Sequence, residues 1–156
     1  MDNELLAYAR QLGETLLAGH KTVVTAESCT GGWVAQTITE IAGSSHWFER
    51  GFVTYSNAAK IDMLGVNHQT LALFGAVSAE TAGEMTNGAL AHSHADLAIA
   101  ITGIAGPDGG SPEKPVGLVF IAWQWQGEAP TVVKKLFSGN RHEIRRQSVA
   151  TALLPP

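Results

Sequence analysis

A chain of 156 residues with 45% hydrophobic and only 15% charged side chains is sized for a single domain, residues 1–156, that buries roughly 68–70% of its unfolded surface. Its formal net charge of -4 excludes the concentrated basic face that a nucleic-acid backbone demands, and no apolar run approaches the ~18 residues of a membrane span. The single cysteine, Cys29, excludes an internal disulfide framework and a cysteine-based zinc site.

Leu5, Leu6, Ala9, Leu12, Leu16 and Leu17 recur near a 3.6-residue period, which predicts an opening helix over residues 3–19 that stops at Gly19. Lys21–Ala26 reads as a first strand, and Trp33, Val34, Ile38 and Ile41 form the inner stripe of a helix ending at Gly43. Phe48–Tyr55 is a second strand, Ser56–Leu64 a short helix, residues 69–74 a further helical turn, and Ser78 caps a helix over residues 79–92. The almost unbroken apolar run 95–102 predicts a central strand covered on both faces. Residues 103–115, with four glycines and three prolines, form a loop longer than most connections, which points to a functional role. Two strands, 116–125 and 131–137, are joined by a Gly127 turn as a hairpin, and a helix over 141–153 closes the chain. The basic residues near the start of that last helix oppose its dipole and ask for an anionic partner. The sum is an α/β fold: a three-layer α/β/α sandwich around a mixed, mostly parallel sheet of about five strands. The acidic start of the chain lacks the basic region of a secretory signal, so we expect a soluble, cytoplasmic protein. A surface so poor in charge favours self-association, and a homodimer is expected.

The chemistry concentrates where strands hand over to helices. Ser28 lies in Thr25-Ala-Glu-Ser-Cys-Thr-Gly-Gly32, between a strand and a helix whose first amides can face an anion or an oxyanion. Gly31 and Gly32 allow close approach of another molecule. The plainer reading is that Ser28 or Thr30 caps the helix. A serine hydroxyl needs a base. None of the six histidines stands at a convincing strand end, and His92 with His94 reads as a solvated pair rather than a metal site, so no metal is expected. In Thr54-Tyr-Ser-Asn-Ala-Ala-Lys60, Tyr55 and Lys60 can both reach the sheet's carboxyl edge. A lysine partly desolvated there can lose its proton and serve as the base; the plainer alternatives are a solvated lysine and a packing tyrosine. Thr102-Gly-Ile-Ala-Gly-Pro-Asp-Gly-Gly110 is a second ligand-approach loop, with neither Walker nor dinucleotide spacing, and Asp108 there reads as a turn residue. Arg141 and Arg145 offer guanidinium groups for a phosphate or carboxylate. Trp123 and Trp125, alternate on one strand, read as core or subunit contacts.

Together these segments, with Gly43-Ser-Ser45, Gly51-Phe-Val-Thr54, Pro115-Val-Gly117 and Gly139-Asn-Arg141, resemble in order and spacing the CinA C-terminal domain family, the nicotinamide-nucleotide amidases, over nearly the whole chain. The resemblance implies hydrolysis of nicotinamide mononucleotide to nicotinic acid mononucleotide and ammonia in pyridine-nucleotide salvage, without cofactor. It also implies a stand-alone enzyme, since larger members carry a further N-terminal domain that this chain is too short to contain. The expected catalytic set is Ser28 as nucleophile with Lys60 as base and Tyr55 relaying or orienting the proton. Thr30, Gly31, Gly32, Ser45, Thr102, Gly103 and Gly106 are expected to bind the substrate amide or oxyanion, and Arg141 and Arg145 its phosphate. Asn140 stands where the family often has an acid, which puts the last helix in question. Two rivals are weighed: a non-catalytic nucleotide-binding or sensing module, which would release no ammonia, and an oxidoreductase with a Tyr/Lys pair, which the missing nucleotide fingerprint disfavours.

Overall fold

Leu97–Gly103 runs through the middle of the molecule because its side chains are apolar on both faces. In the computed structural model, which describes residues 1–156, this strand is β3. It stands with β1 (Val23–Glu27), β2 (Phe48–Val53), β4 (Leu118–Trp125) and β5 (Thr131–Leu136) in one sheet of order β2-β1-β3-β4-β5. β1 pairs in parallel with β2 and β3, β4 runs antiparallel to β3, and β5 antiparallel to β4. Only β4 therefore runs against the common direction, which is the mixed, mostly parallel sheet expected.

Six helices complete the three layers: α1 (Asn3–Ala18), α2 (Trp33–Thr39), α3 (Asn57–Leu64), α4 (His68–Phe74), α5 (Ala79–Ala91) and α6 (Arg141–Ala152). On one face Leu5 and Leu12 of α1, Val34 and Ile38 of α2, and Ile144 and Val149 of α6 bury against Leu97, Ile99 and Ile101. On the other, Leu64 of α3 and Ala82, Met85 and Ala89 of α5 meet Ala98, Ala100 and Ala122. The two-residue period of a strand thus gives β3 one large and one small face, and the small face admits α5 closely. α5 in turn admits α3: a Cβ on Gly88 would lie 1.8 Å from the Leu64 carbonyl oxygen.

The second helix is shorter than expected, ending at Thr39; the chain turns through Gly43, at φ 84°, into a short 3₁₀ turn over Ser44–His46 before β2. α6 is sound at its start, because Asn140 accepts the Glu143 amide while the Glu143 carboxylate accepts the Asn140 amide. Asn140 thus caps the helix. The anionic partner that the basic face of α6 calls for is partly the chain's own beginning, since Arg146 pairs with Asp2 at 2.6 Å and Glu4 at 2.9 Å. Trp123 is buried and donates to the Ala152 carbonyl, while Trp125 stays about one-third exposed.

From β1 the chain passes to β2 on one side, and the next crossover returns to β3 on the other. Such a point leaves a crevice beyond the carboxyl ends of the strands. Three segments follow those ends: Ser28–Gly32, Thr54–Lys60 and the loop after Gly103.

Candidate active site

Lys60 sits on α3, whose start is fixed by the Ser56 hydroxyl accepting the Ala59 amide. The helix packs on α5, and the lysine is 1% exposed, with only the cleft beside it. Its Nζ lies 3.0 Å from Ser28 Oγ, 2.9 Å from the Thr54 carbonyl oxygen and 3.1 Å from that of Tyr55. No carboxylate pairs with it, and burial holds its pKa below the ordinary lysine value. A neutral amine has two N–H donors and one lone pair. Here Nζ donates to both carbonyls and to Ser28 Oγ, and the Ser28 hydroxyl donates to the Tyr55 carbonyl at 3.4 Å; once Nζ gives up a proton, a lone pair is available to the Ser28 hydroxyl.

Around this pair lies a cleft of about 280 Å³, floored by Ser28, Cys29 and Lys60, walled by Thr102–Gly106, Asp108, Gly109, Ala76 and Val77, and closed at its mouth by Tyr55, Asn57 and Arg141. Arg141 donates to the Gly106 carbonyl at 2.7 Å and to the Tyr55 hydroxyl at 3.3 Å. Thr102, 1% exposed, donates its hydroxyl to the Ala76 carbonyl and so ties the end of β3 to the chain ahead of α5. The Cys29 thiol is pushed up to about 11 by burial, with Glu27 adding to that and Arg145 and Lys60 opposing it, which leaves it protonated and a poor nucleophile. The backbone amides of Cys29, Ala105 and Gly106, which line this cleft, make no hydrogen bond within the chain.

The start of α2 differs from expectation. Its N-terminal amides do not wait for a ligand: the Glu27 carboxylate accepts those of Val34 and Ala35 at 2.9 and 3.0 Å, and the Thr30 hydroxyl at 2.6 Å. Burial raises the Glu27 pKa, and these hydrogen bonds pull against the rise. The positive end of the helix is thus occupied by the chain's own anion. Neither Ser28 nor Thr30 caps the helix; Gly32, at φ 101°, is the N-cap residue.

Residues 6–154 match the CinA C-terminal domain. The chain belongs to that family. It is 56% identical over 152 residues to the nicotinamide-nucleotide amidohydrolase PncC of Escherichia coli K12, covering 97% of this chain and 92% of the relative. It is 50% identical to the protein of the same name from Pseudomonas putida, over 93% of this chain and 90% of that one. The crystal structure of the competence/damage inducible protein CihA from Agrobacterium tumefaciens superposes with a TM-score of 0.94 at 50% identity, covering 96% of this chain and 92% of that one.

Within this family frame, the structure gathers Ser28, Lys60, Tyr55, Thr102, Gly103, Gly106 and Arg141 at one cleft and leaves five expected residues outside it. Ser45 is exposed on the 3₁₀ turn that precedes β2, at the opposite edge of the sheet; a six-residue strand of roughly 20 Å separates it from Ser28. Thr30 spends its hydroxyl on Glu27. Gly31 and Gly32, at φ 60° and 101°, serve the left-handed turn into α2 rather than contact with a ligand. Arg145 donates Nε to the Cys29 carbonyl at 3.0 Å and Nη2 to that of Thr30 at 3.2 Å, and does not line the cleft. Tyr55 needs a correction of another kind. It meets the Ser28–Lys60 pair through its backbone carbonyl, while its ring is 62% exposed and its hydroxyl turns to Arg141. Sequence reasoning missed Glu27 and Asn57 and read Asp108, which lines the cleft, only as a turn residue. Only Glu27 carried a signal, as an acid just ahead of a helix start.

Proposed function

We propose that this chain is a nicotinamide-nucleotide amidohydrolase that converts nicotinamide mononucleotide to nicotinic acid mononucleotide and ammonia. The observation that carries the reading is the buried Lys60 amine 3.0 Å from Ser28 Oγ with no carboxylate partner, an arrangement suited to an activated nucleophile. Ser28 Oγ attacks the carboxamide carbon as its proton passes to Lys60 Nζ. The tetrahedral oxyanion is held by the unpaired amides at the cleft edge, that of Cys29 directly after the nucleophile being the first candidate. Lys60 returns the proton to the departing nitrogen, the C–N bond breaks, and ammonia leaves an ester on Ser28. Water, deprotonated by Lys60, then attacks that ester, and the acid and the free hydroxyl are regenerated.

In this reading the Tyr55 phenol does not relay a proton. Its carbonyl orients Lys60, and its hydroxyl holds Arg141 at the mouth, where the substrate phosphate fits. A cleft of about 280 Å³ lies at the lower end of small-molecule pockets, which suits burial of the pyridine amide with the phosphate outermost. Thr102, Gly103 and Gly106 form the wall against the amide. The activity for which these relatives are named supports the same reaction, and we propose a place for it in pyridine-nucleotide salvage. The deciding experiment is release of ammonia from nicotinamide mononucleotide by the native protein and its loss in Ser28→Ala. A native protein that binds the nucleotide but frees no ammonia would mark a binding module instead.

A further inference from the structure

The Arg145 guanidinium lies behind the nucleophile loop, not in the cleft. Besides its bonds to the carbonyls of Cys29 and Thr30, it stacks on Trp33, 5.4 Å from the ring centroid, and Trp33 stacks in turn on His142 at 5.0 Å. Gly31, the residue between its two anchor points and the start of α2, presents no side chain to it: a Cβ there would stand 3.8 Å from Nη2. A guanidinium is suited to such a double contact because its donors form a rigid planar fork, which a lysine lacks.

Peptide geometry turns this contact into a constraint on the site. The peptide joining Cys29 to Thr30 is trans, so its N–H lies opposite its C=O. Holding the Cys29 carbonyl on Arg145 sends the Thr30 N–H to the other side of the loop. The preceding peptide is fixed as well, since the Ser28 carbonyl accepts from the Gly31 amide, which turns the Cys29 N–H outward. The Cys29 amide has no partner within the chain, and Cys29 lines the cleft while Thr30, fully buried, and Arg145 do not. The bond from Arg145 to the Thr30 carbonyl fixes the peptide whose N–H, that of Gly31, holds the Ser28 carbonyl.

We infer that Arg145 is a positioning residue: from behind the loop it fixes the peptides on either side of Thr30, and through the Gly31 amide's bond to the Ser28 carbonyl it holds the Cys29 amide where it can bind the oxyanion of the tetrahedral intermediate. This rests on the amidohydrolase reading above and replaces the phosphate role expected for Arg145 from sequence. Loss of an interaction made only in the transition state lowers kcat and leaves ground-state binding alone.

The test compares Arg145→Ala and Arg145→Lys with the native enzyme, measuring kcat and KM for nicotinamide mononucleotide, Kd for the product acid, and the response to added guanidinium ion at a non-denaturing concentration. Arg145→Ala is expected to lose about 10²-fold in kcat, the scale of a displaced oxyanion donor, with KM and product Kd within about twofold. Guanidinium ion, which can donate to both carbonyls, should restore part of kcat; ammonium should not. If Arg145→Ala does not fold, Arg145→Lys decides, with an expected kcat loss of about tenfold at unchanged KM. A native-like kcat, a loss that falls on KM for the phosphorylated substrate, or a folded Ala variant that guanidinium does not rescue overturns the inference. Absence of ammonia release by the native protein, or an unimpaired Ser28→Ala, would instead sink the amidohydrolase reading itself.

Discussion

Two atoms, Ser28 Oγ and Lys60 Nζ, decide the chemistry, and their closeness is imposed by carbonyls rather than charges. Ser28→Ala should lower kcat by on the order of 10⁴–10⁶-fold while nucleotide affinity, read by titration calorimetry, stays within a few-fold. Lys60→Met should cost about 10²–10⁴ in kcat. The pH dependence follows from the sign of the lysine's displacement. Its folded pKa lies below the ordinary 10.5, so the native state binds fewer protons than the unfolded chain between those two values. Stability should therefore rise with pH across that window, and the rise should vanish in Lys60→Met. Activity should climb on the same lower limb as Nζ loses its proton. Arg141→Ala should weaken the phosphorylated substrate by ~10- to 100-fold, the worth of a charge-assisted hydrogen bond, and the corresponding nucleoside only slightly; equal losses would remove its phosphate role. At this scale the sequence was informative for Ser28, Lys60 and Arg141, because their neighbours place them at strand ends. It was silent on what Arg145 and the Tyr55 phenol touch, since a contact across 116 residues, such as that of Arg145 with Cys29, leaves no local pattern.

Elements matter here through how closely they approach. α3 brings Lys60 to Ser28 only because α5 offers a gap at Gly88. Gly88→Ala would set a methyl 1.8 Å from the Leu64 carbonyl oxygen, where the obstacle is backbone and cannot swing aside. A loss of about 3 kcal/mol or more is expected, a fall in Tm of ~6–12 °C in a chain of this size, together with lower kcat as α3, pushed off α5, carries Lys60 away from Ser28. The elements themselves were readable from periodicity and punctuation: the opening helix, the apolar central strand and the hairpin stand where the pattern puts them. The end of α2 was not, because Ile41 keeps the helical spacing while the chain already turns toward Gly43. The helix start was misjudged for a different reason. Its dipole invited an outside anion, and nothing in a linear reading says that Glu27, pointing back from the strand, fills that position.

For the molecule as a whole, the sheet order converts three separate segments into one cleft, and Asp2 and Arg146 tie the start of α1 to α6. Asp2 also accepts the Leu5 amide at the start of α1, and the Arg146 guanidinium holds its carboxyl below the ordinary value. Its contribution is thus present above the ordinary carboxylate pKa and is lost as pH falls through the lowered folded value. Asp2→Ala should cost about 1–2 kcal/mol, mostly as a lost helix cap, seen in denaturant midpoints at neutral pH and fading in acid. No helix is long and apolar enough to cross a membrane. The three-layer architecture was legible because alternating strands and helices admit few other solutions.

The walled-in lysine has a chemical corollary. A primary amine that gives up its proton more readily than an ordinary lysine, beside a guanidinium-lined mouth, is a trap for phosphorylated aldehydes: pyridoxal phosphate, guided by Arg141, should condense with Nζ to an imine with loss of water. Borohydride would then make the adduct permanent. Mass spectrometry of the digested protein should find the tag on Lys60 ahead of the surface lysines, with turnover falling in step, and saturating product should protect against both.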